Sequence, residues 1–577
     1  MTASVHVHLD LQAAPSHLVA VTIQLQPRQH QLTLRLPAWT PGSYLIRDYV
    51  RQLESLQVVQ GERELQPLRR DVAAWDLQLP DLQPLLIRYR VLATELSVRT
   101  CHLTADHCFL CLAAVVLAVE GQRWSPHRLS MLLPPGWNAF VPLPLQPDGS
   151  WLARGFDQLI DSPIEAGPHT LSHFSVAGVP HQWVSWGTTL SGADPLAADP
   201  ELLTDVQRVC ASCCRLMGED RAAADAYLFI LHLTEEGYGG LEHDCSAVLQ
   251  FGRRRLAQPD GRRQLLQLVA HEYLHQWNVR RLRPTELSPY DYDQPVIIPT
   301  LWFAEGVTSY FDQLIPCAAG VTAEADVLKD LAADLSRYRL TPGRAVQSLR
   351  QSSEEAWVKL YKADAYAADA QVSYYLKGAV LALVLDLHLR RHGSALLSVL
   401  RRLWRSHGRC GRGYSEQDLL AVFAAEAADL AELLPRWLHS HEEPDLEAYL
   451  ADVGLLLVPA GSQLPAAGWH LAGRGGVLLL ERVARGGPAE RAGLMVGDEL
   501  IALAGQRLRE PDAVNAVLQA LPAGQSVELA YCRDGRLRFT SFNPDVASAQ
   551  SWSLQDDPVA DSHCLNRRRH WLNLEIA

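Results

Sequence analysis

Residues 264–279 have the sequence QLLQLVAHEYLHQWNV, and this stretch decides the fold of the central part of the chain. Apolar residues recur at helical spacing from Leu265 to Leu274, which predicts one helix over the whole stretch. His271 and His275 are four residues apart, so that helix would place both imidazoles on one face. Together with the helical patterns downstream, this stretch indicates a separate, mainly α-helical domain with a small sheet.

The segments around this stretch also have clear periodicity. Residues 5–176 consist of short alternating apolar segments separated by Pro/Gly turns, which is typical of an all-β sandwich. A second β-rich unit begins near residue 466, and the tail after residue 544 has so little periodicity that we expect it to be loosely ordered. Between them we predict a buried strand at 227–234 and further helices at 200–217, 323–338, 371–392 and 416–434.

The composition excludes several classes of protein. The chain has 52 Lys and Arg against 65 Asp and Glu, a formal charge of −13, and it lacks the concentrated basic face that nucleic-acid binding needs. No segment offers about 20 uncharged apolar residues for a membrane span, and no secretory signal is visible. The 11 scattered cysteines favour reduced thiols. We therefore expect a cytoplasmic protein with no nucleic-acid or membrane partner.

The segment His271-Glu-Tyr-Leu-His275 suits a metal site. Two imidazoles on adjacent helical turns can bind one Zn²⁺, and Glu272 then projects toward a water on the metal. The same five-residue pattern also arises by chance on helix surfaces. The motif alone therefore leaves both interpretations open.

A second acidic position follows within residues 301–312, LWFAEGVTSYFD. Glu305 stands alone in an apolar run, where a buried carboxylate needs a partner, and zinc is the partner we predict. Two histidines and one glutamate leave one coordination position open, which is typical of a catalytic zinc, here one per chain. Asp312 lies two helical turns further on, where it could accept the outer N–H of a ligand histidine or be a solvated helix acid.

Several separated motifs together resemble one known family. The sequence HEYLHQWNVRRLRP at 271–284, with LWFAEGVTSY at 301–310, resembles the glycyl aminopeptidase family of gluzincin metallopeptidases, which carries a C-terminal PDZ domain. Residues 36–49, in which Pro41-Gly42 marks a turn, resemble that family's N-terminal β domain. Residues 342–344 and 352–357 with Tyr361 resemble its helical region, and residues 488–501 resemble its PDZ core. The resemblance implies a multidomain α+β chain with a thermolysin-like catalytic domain. The implied domains are a β-sandwich at 1–176, the metallopeptidase at 177–458, a PDZ domain at 459–545 and a tail at 546–577.

The resemblance also implies roles for residues outside the metal motif. Gly239, Gly240 and Glu242 fall where related aminopeptidases hold the substrate, with the glutamate binding the free α-amine; the alternative is a Gly-containing loop with a surface glutamate. Tyr375 aligns with the tyrosine whose hydroxyl stabilises the oxyanion, although its neighbour Tyr374 could be the one that faces the metal. A fixed carboxylate and a phenol donor suit these tasks physically.

The C-terminal unit contains two PDZ-like features. Residues 493–498, GLMVGD, resemble the turn of protease-associated PDZ domains, and residues 475–479, GGVLL, would be the carboxylate-binding loop and its strand. Such domains add a peptide strand to a sheet edge. The unit either binds a peptide ligand or packs on the catalytic domain.

These features together predict a zinc aminopeptidase. Its substrates are peptides with a free N-terminus, and the resemblance implies a preference for small first residues such as Gly or Ala. The metal polarises the scissile carbonyl and its water, while Glu272 takes the proton of that water as general base. A zinc endopeptidase with PDZ-guided substrates is one alternative, and a non-catalytic peptide-binding scaffold is another.

Overall fold

The computed structural model describes residues 5–460, 465–521, 525–546 and 549–576. The chain forms two compact units. The first comprises residues 1–298, 311–322 and 397–422, and the second comprises residues 299–310, 323–396 and 423–577. One continuous helical stretch, the π-helical turn Trp302–Gly306 followed by the α-helix Val307–Ala318, belongs partly to each unit.

Three sheets form the N-terminal part of the first unit, which confirms the sheet-rich region that the alternating pattern predicts. In the strand Leu18–Leu25 every second side chain from Val19 to Leu25 is buried, because a strand of period two presents one face to the core. In sheet order, the first has Trp151–Ala153, His127–Leu132, Val5–Asp10, Leu18–Leu25, Leu85–Leu92, Leu53–Gln60 and Arg63–Leu65; the second has Ala118–Val119, Gln31–Arg35, Ala74–Gln78 and Leu68–Asp71; the third has Asn138–Phe140, Ile164–Gly167, Cys108–Leu110 and Cys101–Leu103.

A five-stranded sheet completes the first unit and carries the segment that resembles a substrate-binding strand. In order, its strands are Leu171–Val176, Val179–Trp186, Tyr227–Thr234, Ser246–Gly252 and Tyr238–Glu242. Tyr238–Glu242 is the last strand of this order and runs antiparallel to Ser246–Gly252. One of its long sides is therefore available for an added peptide strand.

The helix of the metal motif is shorter than predicted. It runs over Gly261–Leu274, and His275 is its C-cap residue. The prediction of one helix to residue 279 was wrong, because the backbone turns after His275. The backbone carbonyl of Trp277 then accepts hydrogen bonds from the N–H groups of Arg281 and Leu282. The other helices of this unit are Phe156–Ile160, Pro195–Ala198, Leu202–Met217, Arg253–Leu256 and most of Leu396–Ser406 and Glu416–Glu426, with 3₁₀ turns at Ala14–Ser16, Tyr49–Gln52, Leu112–Ala114, Thr285–Leu287 and Gly408–Cys410.

The second unit is helical before residue 452. Its long helix Tyr374–Arg391 packs on the turn Trp302–Gly306, where Gly306 and Gly378 meet: a Cβ on Gly306 would lie 2.6 Å from Gly378 Cα. The predicted helix at 416–434 is instead two helices, separated at residues 427–429. The remaining helices are Glu324–Arg339, Leu349–Glu354, Ala367–Ala370, Leu430–His439 and Leu446–Ala451, with 3₁₀ turns at Pro342–Ala345 and Leu360–Lys362.

The predicted PDZ domain is present at the C-terminal side of this unit. Its strands, in sheet order, are Trp469–Arg474, Val477–Val483, Glu499–Leu503, Val527–Arg533 and Arg536–Phe542, with Gln506–Arg507 paired to Glu499–Leu503 and helices at Pro488–Arg491 and Pro511–Ala520. Gly475 and Gly476, at φ +59° and +84°, form the tight turn that joins the first two strands, where Arg474 pairs with Val477. The prediction that they form a carboxylate-binding loop was therefore wrong.

The tail is ordered at residues 549–576, contrary to the expectation from its weak periodicity. Ser551–Asp556 pairs with Leu455–Ala460, and the helix Ser562–Leu572 follows. Trp571 is fully buried and its Nε1 donates to the Tyr310 hydroxyl at 2.7 Å. A single buried anchor of this kind has no periodic signal, so sequence patterns do not detect it.

Two general expectations can be compared with the fold. The 11 cysteines, all of which lie in the described part of the chain, form no disulfide. None of the helices in the described part of the chain combines the length and the apolar composition that a membrane span requires. The boundaries proposed at residues 176, 458 and 545 are not tested by the two compact units and remain predictions.

Candidate active site

The two motif histidines are each held by a hydrogen bond at Nδ1. His271 Nδ1 donates to Asp312 Oδ2 at 2.8 Å, and His275 Nδ1 donates to the backbone carbonyl of Asn278 at 2.6 Å. A carbonyl and a carboxylate oxygen accept only, so in the neutral imidazoles the proton lies on Nδ1 and Nε2 carries the lone pair. This is the tautomer that a metal ligand needs, with its outer N–H held as in known metal sites.

Glu272 lies beside the predicted substrate strand. The residue is 4% exposed, and a Cβ on Gly240 would lie 2.2 Å from Glu272 Oε1. Only glycine at position 240 leaves room for the carboxylate in this position. Gly239 instead faces open space, since no described atom lies within 4 Å of its Cβ position.

Glu242 ends the same strand and is also buried, at 4% exposure. Ligand atoms of Glu242, Glu272 and His275 all lie within 4.8 Å of one another. Among the described residues Glu242 Oε1 has no hydrogen-bond partner, although it is shielded from solvent. A buried carboxylate oxygen without a donor is costly, so this oxygen is suited to receive a cationic group of a ligand.

Glu305 is buried in the π-helical turn and is joined to Asp312 by the helix that follows. Ligand atoms of His271, His275 and Glu305 lie within 4.8 Å of one another. Two imidazole nitrogens and one carboxylate oxygen are a donor set that zinc accepts. π-helical turns of this kind are frequent at functional sites.

Tyr375 lies close enough to Glu305 for the charge of that carboxylate to act on its hydroxyl. Burial and the charge of Glu305 are the two largest causes that raise its pKa well above the usual value, so its hydroxyl stays protonated and can donate. Tyr361 also lies at this hydroxyl, with the two phenolic oxygens 3.3 Å apart. Tyr374, at the start of the same helix, is fully buried.

Three contributors to this region could not be identified from the sequence. Asn278 acts through its backbone carbonyl, which any residue offers. Gly42, at φ +83°, lies against Glu242: a Cβ there would be 2.6 Å from Oε2. Its Pro41-Gly42 turn was visible, but nothing local connects it with a residue 200 positions away. Tyr361 has no local signal of its own apart from the family resemblance.

Three separate ranges of the chain match known protein families. Residues 6–168 match the Peptidase M61 N-terminal domain, residues 264–381 match M61 glycyl aminopeptidase, and residues 480–533 match a PDZ domain. The second match includes His271, Glu272, His275, Glu305 and Tyr375.

Two individual proteins are similar to this chain, one over nearly its whole length and one over a short part of it. The structure is similar to that of an aminopeptidase N family protein from Idiomarina loihiensis, with a TM-score of 0.91 and 28% identity over 98% of this chain and 100% of that chain. The magnetosome formation protease MamE of Paramagnetospirillum magneticum is 32% identical over 109 residues, which is 19% of this chain and 15% of that relative's length. The chain therefore belongs to the M61 glycyl aminopeptidase family of peptidases and carries a C-terminal PDZ domain.

Proposed function

We propose that the protein is a zinc-dependent aminopeptidase in which His271, His275 and Glu305 hold the metal. The tautomers fixed by Asp312 and Asn278 and the buried Glu305 carboxylate support this donor set. Bound zinc would supply a Lewis acid that polarises the scissile carbonyl and acidifies water.

Recognition of a free N-terminus is the part of this proposal that the structure supports most directly. The observation that carries it is the buried Glu242 carboxylate. Its Oε1 has no partner in the described part of the chain, and one of its oxygens lies within 4.8 Å of the Glu272 and His275 ligand atoms. An α-ammonium would supply the missing donor and positive charge. Because this anchor is so close to Glu272, only the first peptide bond of a bound chain would reach the general base.

Proton transfer is the task of Glu272. Its carboxylate takes a proton from the attacking water and delivers it to the leaving nitrogen. Gly240 permits its position, and the strand Tyr238–Glu242 aligns the peptide backbone alongside. Tyr375 donates its hydroxyl proton in a hydrogen bond to the developing oxyanion, for which its raised pKa suits it. A preference for small first residues is proposed from the family alone.

Cleavage of matched peptides tests this proposal. One peptide has a free N-terminus and the other is acetylated, and both are incubated with and without a chelator. We expect release of the first residue from the free peptide only, and loss of that release with the chelator. Equal cleavage of both peptides would instead support the endopeptidase, and no cleavage at any metal concentration would support the non-catalytic scaffold.

The role of Glu242 has its own test in two substitutions. Removing one partner of a buried charge pair costs about 2–5 kcal/mol, so Glu242→Ala should lower kcat/KM for free peptides by about 30-fold or more. Glu242→Gln keeps the shape and removes the charge, and it should lose most of the same activity. Unchanged kcat/KM in Glu242→Gln would rule out recognition of the ammonium by this carboxylate.

We also propose that the PDZ domain binds a peptide beside its edge strand. A groove of about 490 Å³ lies there, lined among others by Trp469, Leu471, Arg482 and Leu518. Trp469–Arg474 is the first strand of the sheet order and can add one more strand. Arg482 already pairs with Asp369 through Nη2 at 2.9 Å, and its Nε, which has no partner among the described residues, can donate to a carboxylate. Binding of a peptide with a free C-terminus, and not of its amide, would be measured by fluorescence anisotropy. Equal binding of the peptide and its amide would contradict recognition of the C-terminal carboxylate.

A further inference from the structure

A second cluster of histidines surrounds one buried carboxylate, apart from the peptidase motif. Glu165 is 0% exposed, and its Oε1 accepts hydrogen bonds from His107 Nδ1 at 2.8 Å and from His169 Nε2 at 2.9 Å. Its Oε2 accepts from His232 Nε2 at 2.8 Å. All the ion-pair partners of Glu165 in the described part of the chain are imidazoles, and none is Lys or Arg.

This arrangement buries a negative charge without a permanent positive one. Glu165, His107 and His232 are buried, and the carboxylate oxygens have only imidazole partners in the described part of the chain. A cation at the cluster would remove the desolvation cost of the carboxylate.

The hydrogen bonds indicate which nitrogens could bind such a cation. His107 Nε2 lies 2.9 Å from His102 Nδ1, so the His107 proton can move to Nε2 and be donated there, which exposes the Nδ1 lone pair. His169 can likewise carry its proton on Nδ1, which exposes the Nε2 lone pair. Both shifts are changes of tautomer and release no proton.

His232 has a different role in the cluster. Its Nδ1 is buried and has no partner among the described residues, so a proton there would be unsatisfied. The proton therefore stays on Nε2, which donates to Glu165 Oε2. His232 thus orients the carboxylate and leaves Oε1 for the cation, as outer hydrogen bonds do in known metal sites.

We propose that His107, Glu165 and His169 form a second divalent-cation site of the zinc class. Their ligand atoms lie within 4.8 Å of one another. Two imidazole nitrogens and one carboxylate oxygen suit Zn²⁺ or Co²⁺. The carboxylates of Glu165 and the nearby Asp106 balance the charge of the ion, and His169, whose side chain is 8% exposed, gives access from solvent. The chain then binds two cations, not the one that its motif predicts.

The location of this site indicates a structural task. Glu165 lies in Ile164–Gly167 of an N-terminal sheet, whereas His232 lies in Tyr227–Thr234 of the sheet that carries Glu242. Trp186, from the strand Val179–Trp186, stacks on His107 with ring centroids 4.0 Å apart. A cation here would fasten the N-terminal sheet to the five-stranded sheet and would not touch the substrate.

Metal analysis of the full-length protein tests the second site. After saturation with zinc and removal of the excess, mass spectrometry of the metal content should give two zinc ions per chain in the native protein. Glu165→Gln and His169→Gln should each give one and retain peptidase activity. His127→Gln is the matched control, because His127 is an equally buried histidine bonded to the Ser125 carbonyl, and it should retain two. One zinc ion in the native protein, or two in Glu165→Gln, would overturn the proposal.

A second measurement separates this site from the peptidase site and from failure to fold. The double variant His271→Ala/His275→Ala removes the predicted catalytic ligands, and it should still bind one Co²⁺ and melt at higher temperature when Co²⁺ is added. Adding His107→Gln should abolish both effects while the far-ultraviolet circular dichroism stays native. If the double variant binds no Co²⁺, the second site is refuted, whatever the peptidase site does.

Discussion

The two histidine–carboxylate clusters of this protein are built in opposite ways. His271 and His275 come from one helical turn, and their outer partners, Asp312 and the Asn278 carbonyl, fix the tautomers. The Glu165 cluster takes its histidines from separate segments, and only His232 lies in a strand. His107 and His232 are 58 and 67 residues away from Glu165 along the chain. A site made by one helix leaves a motif in the sequence, and a site made by a sheet junction leaves none.

The largest effect should come from the general base of the helical cluster. Glu272→Gln removes the proton acceptor and keeps the shape, so kcat should fall by about 10²–10⁴-fold. Zinc content should stay native, since Glu272 is not a ligand. Steady-state kinetics measures kcat, and metal analysis of the same preparation measures the zinc content. Native kcat in this variant would assign the base to another group.

A smaller loss should follow from a methyl group on the adjacent strand. Gly240→Ala places a Cβ 2.2 Å from Glu272 Oε1, so the carboxylate must move. A misplacement of about 1 Å can cost about 10²-fold in rate, and we expect a decrease of that order in kcat/KM. A double-mutant cycle is the control, because Gly240→Ala should add no further loss to Glu272→Gln if it acts through that carboxylate. An additional loss of the same size in the double variant would show that the strand, and not the base, is disturbed.

The partner of His271 should matter less than the base. Asp312→Ala removes the acceptor at Nδ1, and changes of this kind cost about 10–100-fold in metal affinity. Competition with a chelating dye measures the affinity. Asp312→Asn keeps an oxygen acceptor and should lose less. If both variants bind zinc like the native protein, Asp312 does not hold the ligand histidine.

The smallest effect on activity should come from the sheet cluster. Glu165→Gln should leave kcat/KM unchanged and lower the melting temperature only in the presence of zinc. At a zinc concentration of about 100 times Kd, loss of a site removes about 2.7 kcal/mol of stabilisation. Calorimetry with and without zinc checks this. A large loss of kcat would show that the Glu165 cluster takes part in catalysis and is not a purely structural site.

Long periodic segments were predicted well from the sequence. The strand Tyr227–Thr234 has the predicted bounds, and the helix Glu324–Arg339 differs from its prediction by one residue at each end. Such elements depend on apolar spacing within a few residues, which the sequence displays directly. Helix ends were predicted less well, as His275 shows, because an end depends on where the last carbonyls find partners.

The tail and the PDZ turn show what local patterns miss. The helix Ser562–Leu572 has weak periodicity and is anchored by Trp571, whose partner Tyr310 is 261 residues away. Gly475 and Gly476 were assigned a ligand-binding task, although their pairing makes them a hairpin turn. In both cases a contact with another segment decided the role of the residues.

The sequence by itself determined the sheet-rich N-terminal region, the helix that carries His271 and Glu272, and the membership in a peptidase family, since each is encoded in residues close together along the chain. Only the tertiary structure decided that Asp312 and Asn278 orient the histidines, that Gly42 lies against Glu242, and that three histidines surround Glu165. The reason is physical. These contacts join segments on different strands and helices, and their formation depends on how those elements pack and not on any local spacing.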